Sequence, residues 1–86
     1  MAEREFVGQL KMEGEMNMRY TVVLTRDEDG GFDAAVPALV GCRTWGQTKR
    51  EAWANAREAI AAYVGSLRKE GDPVPEEAGM TVVQVR

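Results

Sequence analysis

The chain has no histidine, one cysteine and one serine in 86 residues, and these shortages exclude whole classes of chemistry. Without histidine, the commonest general base and the commonest metal ligand are both missing. A serine–histidine or cysteine–histidine nucleophile arrangement is therefore impossible. Cys42 has no partner for an intramolecular disulfide, which favours the cytoplasm. It also falls on the apolar side of a short strand, where a thiol behaves as an inert small hydrophobe. Ser66 lies late in a helical stretch with no base beside it. Zinc spacing is absent, and Gly30-Gly31, Gly41 and Gly46 build neither a GxGxxG nor a GK[ST] phosphate loop. No apolar run approaches the roughly 18–20 residues that cross a bilayer. The charged start, Met1 to Glu5, is followed by no signal-peptide core. No cofactor or metal is expected, and no catalytic residue emerges.

What is present describes one small domain. Apolar residues make up 44% of the chain and charged residues 29%, without repeats or low-complexity runs. A chain of this length buries only about 60–65% of its unfolded surface, and oligomerisation is a common supplement. The net charge of −3 is unevenly spread. Residues 49–69 carry Lys49, Arg50, Arg57, Arg68 and Lys69 against Glu51 and Glu58, while both flanks are acidic. An acidic total argues against a phosphate-neutralising protein, and the basic strip reads first as a solvated helix face. Asp27, Glu28, Asp29 and Asp33 do not match a calcium loop, and a solvated hairpin tip accounts for them.

Periodicity organises the rest. Tyr20 to Thr25 is rich in β-branched and aromatic residues, and the expected strand runs Arg19 to Arg26. Asp27 to Gly31 is a glycine turn, after which Phe32 to Val36 returns antiparallel. Pro37 has no N–H and stops the ladder, and Cys42 to Trp45 forms a short third strand. Thr48 and Glu51 have capping-box spacing, and an apolar stripe follows: Ala52, Trp53, Ala56, Ala59, Ile60, Tyr63, Val64, Leu67. Gly71 and Pro73 end the helix. Met80 to Arg86 reads as a last strand. Residues 1–18 show no clean period and are expected to form an N-terminal arm, with an edge strand as the alternative; the main domain spans 19–86.

The expected fold is α+β in the order β-β-β-α-β. An antiparallel meander precedes a helical crossover, and the right-handed rule lays the last strand parallel to the first. One helix covers one face of such a sheet. Tyr20, Val22, Leu24, Phe32, Ala34, Val36 and Cys42 share the apolar side. Thr21, Val23, Thr25, Asp33, Ala35, Arg43 and Trp45 share the other. That open side is the natural partner-binding surface, with Thr21, Val23, Asp33, Arg43 and Trp45 as its candidate contacts, because large exposed aromatics often mark interfaces; packing at the strand end is the alternative for Trp45.

One combination of residues is specific. Gly31-Phe32, Pro37, Leu39, Gly41-Cys42, Thr44, Gly46, Thr48, Glu51-Ala52, Asn55 and Glu58-Ala59-Ile60 together resemble the HicB-like antitoxin domain, the former UPF0150 family, over about residues 19–75. The resemblance implies a truncated ribonuclease H-like fold and a non-catalytic role in a type II toxin–antitoxin pair. Its implied partner is a small, basic, RNA-cleaving HicA-like toxin, which the antitoxin covers; a homodimer or homotetramer is expected. Relatives of this kind usually add a C-terminal DNA-binding domain. This chain ends at Arg86 without one, so a stand-alone form that does not bind operator DNA is expected. Gln47 replaces a frequent acid, and Lys49-Arg50 makes the helix start more basic than is usual. Two other readings compete: a small nucleic-acid-binding domain using the basic helix face, and a metal-dependent nuclease resting on fold analogy with Asp33 as its lone strand carboxylate.

Overall fold

A computed structural model describes residues 5–12 and 18–75. They form four strands and one helix: β1 (Glu5–Met12), β2 (Met18–Arg26), β3 (Phe32–Ala35), β4 (Arg43–Gly46) and α1 (Lys49–Glu70). The sheet order is β1-β2-β3-β4, and every neighbouring pair is antiparallel. The α+β class and the three-stranded meander are therefore present. The strand expected at Met80 to Arg86 lies outside the described residues. Both edges of β2 are occupied, by β1 on one side and β3 on the other.

β1 pairs with β2 along its whole length, from Glu5 opposite Thr25 to Met12 opposite Met18. Its alternation is concealed in the sequence by Gly8. Phe6, Gly8, Leu10 and Met12 share the helix side, and Leu10 is among the most deeply buried residues. At Gly8 the missing side chain makes room for a neighbour. A Cβ there would stand 3.1 Å from Trp53 Cη2, so α1 lays its indole onto the strand at this point. The glycine that breaks the pattern is what lets the helix close over β1.

The turns follow their residues. Asp27 N–H donates to the Gly31 carbonyl at 2.7 Å, and Gly30 takes a φ of 101°, which a side chain would resist. After Ala35 the chain makes a tight loop: Val36 N–H donates to Cys42 O at 3.1 Å and Cys42 N–H to Leu39 O at 2.9 Å. This loop sinks Leu39 into the core and leaves Pro37 outside. The Tyr63 hydroxyl donates to Val40 O at 2.8 Å, fastening the loop to the helix.

Thr48 caps α1, its hydroxyl accepting from Glu51 N–H at 3.0 Å. The Glu51 carboxylate accepts from Gln47 N–H at 2.7 Å, one residue before the cap residue that an ideal capping box would use. Gly71 ends the helix with a φ of 80°, and the Gly71 and Asp72 amides return to the carbonyls of Arg68 and Leu67. Ala52, Ala56, Ile60 and Val64 form the buried stripe. They pack on Leu10, Tyr20, Val22, Leu24, Phe32, Ala34, Val36, Leu39 and Cys42. Two of the four helix residues are alanines, and the approach is close. A Cβ on Gly46 would collide with the Ala52 backbone.

Candidate protein-docking face

The helix covers one side of the sheet, and the strand register arranges the other. Val7, Val23, Ala35 and Arg43 form one cross-strand row, linked through the pairs Val7–Val23, Val23–Ala35 and Ala35–Arg43. Glu5, Thr25, Asp33 and Trp45 form the next row. The first row is apolar for three strands and ends in a guanidinium. The second joins two carboxylates to an indole. Val7 is 63% exposed and Trp45 43% exposed, although both are large and apolar. An apolar centre with a charged border is the composition of a protein-docking surface.

Trp45 is held in place from two directions. Its backbone carbonyl accepts from Asn55 Nδ2 at 2.7 Å, a bond from α1 to the end of β4. Its indole lies against Gly31, where a Cβ would overlap the ring. The aromatic is therefore presented by a rigid frame, and little rotamer freedom is left to lose on binding.

Of the five residues expected to form the partner surface, the register brings Val23, Asp33, Arg43 and Trp45 onto adjoining positions. Thr21 shares their side of the sheet, opposite Gln9, but is only 8% exposed, so it offers little surface there. Val7 and Gln9 on β1 belong to the same face and were missed. Their signal was the alternation of 5–12, which Gly8 obscures.

The remaining chemistry-bearing groups have structural uses. Burial pushes the Cys42 thiol above its usual range, which disfavours the reactive thiolate. Two members of the basic helix strip are engaged with β1. Lys49 Nζ stands 4.0 Å from the centroid of the Phe6 ring, and Arg57 donates to the Lys11 carbonyl at 3.4 Å. Among the described residues, no three His, Cys, Asp or Glu side chains gather as metal ligands. No helix among them is long and apolar enough to cross a membrane. A hollow of about 180 Å³ opens between α1 and the end of the β1–β2 pair, lined by Met12, Met18, Tyr20, Ile60 and Val64 among others. Its walls are mainly apolar and bring no set of polar groups together.

Among the described residues, these features define a small α+β domain with one face of its sheet roofed by a helix and the other left open. Sequence comparison supplies the family. The model of the family described as "HicB_like antitoxin of bacterial toxin-antitoxin system" matches residues 20–85. A UPF0150 protein of Thermoplasma acidophilum is 52% identical over 60 residues, covering 70% of this chain and 87% of the relative. A UPF0150 protein of Synechocystis is 48% identical over 58 residues, covering 67% of this chain and 73% of its own. One from Archaeoglobus fulgidus is 33% identical over 69 residues, covering 80% and 97%. No solved structure matches the chain. The chain belongs to the HicB-like antitoxin family. β1 lies in front of the matched region.

Proposed function

We propose that this chain is the neutralising partner in a type II toxin–antitoxin pair and acts in the cytoplasm by covering a small, basic, RNA-cleaving toxin of the HicA type. Family membership supports a toxin–antitoxin role. The observation that carries the binding mode is the open sheet face, where Trp45 is exposed yet clamped by Asn55 and Gly31. On this reading Trp45 is the apolar anchor, Val23 and Val7 extend the contact, and Asp33 pairs with a basic side chain of the toxin. Arg43 at the border sets orientation. Pre-organised aromatic and arginine residues of this kind carry most of the energy of protein interfaces. The action is steric and non-catalytic: the toxin's active surface is occupied. The reading also takes the domain as a truncated ribonuclease H-like fold.

The test is co-purification of the chain with any small basic protein encoded beside it. Trp45→Ala combined with Asp33→Lys should weaken that complex by at least about a hundredfold, as loss of a central anchor and a reversed charge does. Unchanged affinity in a folded double variant would overturn the assignment of this face. Nucleic-acid binding that persists at high salt without any toxin would favour the basic helix strip instead.

A further inference from the structure

The outer edge of β1 has a property that its pairing with β2 does not use. β1 is eight residues long, free of proline and, among the described residues, last in the sheet order, with β2 on one side. A long edge strand of this kind is a template for another strand unless something blunts it. Its charges stand in a particular relation. Glu5 and Lys11 lie three residues before and three residues after Gly8. A two-fold axis at Gly8 that pairs β1 antiparallel with β1 of a second copy sets Glu5 opposite Lys11, Phe6 opposite Leu10, and Val7 opposite Gln9. Each such pair joins residues of like parity, so every side chain stays on the face it already occupies.

The surroundings of Lys11 favour this pairing. Across β1–β2 it faces Arg19, a like-charge pair of the destabilising kind, and Arg57 binds its carbonyl. Lys11 and Arg19 thus stand as two cations at that corner. Glu5 at the far end faces the neutral Thr25. The symmetric arrangement brings one carboxylate to each basic corner, twice per dimer. We propose that a second copy of this chain docks on the outer edge of β1, joining the eight described strands of two copies into one antiparallel sheet. Both helices then lie on one side, and both open faces merge on the other. The two Trp45-bearing strands stand at opposite ends of the joined surface. The residues involved precede the region shared with the family, so the dimer is a property of this chain's N-terminal strand.

Glu5 and Lys11 are exposed, which allows their charges to be reversed without entering the core. The full chain should sediment as a dimer at micromolar concentration. Glu5→Lys and Lys11→Glu should each weaken the dimer about tenfold or more, since each creates two like-charge pairs. An equimolar mixture of the two variants should regain wild-type affinity as a heterodimer, because each then supplies what the other lacks. A wild-type monomer overturns the proposal and means that another segment covers this edge or that it stays open. A dimer indifferent to either reversal, or singles that fail to recover on mixing, overturns it equally. The result is separable from the toxin reading, whose decisive residues Trp45 and Asp33 lie on β4 and β3.

Discussion

The two faces of the sheet are made from alternate residues of the same four strands, yet they have opposite fates. Val22 on β2 is completely buried, whereas Val7 on β1 is 63% exposed. The residue type is the same; the parity differs. Val22 points at Ile60 and its neighbours, and Val7 points at water. The covered face is close-packed, built to exclude solvent and to hold α1 at a short distance through Gly8, Gly46, Ala52 and Ala56. The open face carries an apolar row of Val7, Val23 and Ala35 that the helix does not cover. The comparison therefore separates residues that serve folding from residues that, on the proposed reading, serve binding.

Substitutions should reproduce that separation. The largest effect belongs to the covered face: Ile60→Ala should cost about 2–4 kcal/mol, since the cavity sits under a rigid helix. For a domain of this size, calorimetry should then show the melting midpoint falling by roughly 10–25 °C. A smaller loss marks the hinge between strand and helix. Thr48→Ala removes the acceptor for Glu51 N–H and should cost about 1 kcal/mol in urea titration, with no change in the slope of the transition. The smallest belongs to the open face: Arg43→Ala should change stability by less than about 0.5 kcal/mol, while still weakening partner binding. A destabilisation of Arg43→Ala comparable to that of Ile60→Ala would erase the distinction between the faces.

Much of this arrangement was legible in the residues alone. Tyr20, Val22, Leu24, Phe32, Ala34, Val36 and Cys42 were assigned to one side by strict alternation, and all seven are buried. The helix limits were readable because Thr48, Glu51 and Gly71 each act locally, through bonds to residues a few positions away. β1 was harder. Its inward row reads Phe6, Gly8, Leu10, Met12, and a glycine in an apolar row carries no signal unless the residue filling its place is known. That residue is Trp53, forty-five positions away in sequence. Likewise the exposure of Trp45 depends on Gly31 and Asn55, and the shielding of Thr21 follows from no pattern within β2.

By itself, the amino-acid sequence determined the alternation of the meander strands, the caps of the helix, the one-sided apolar stripe and the family likeness. Each of these depends on neighbours within a turn or a strand. Tertiary structure alone decided which strand stands at the edge, which apolar side chains remain in water, and which charges meet across the sheet. Those outcomes depend on register between distant segments, and register is set by the packing of the whole domain.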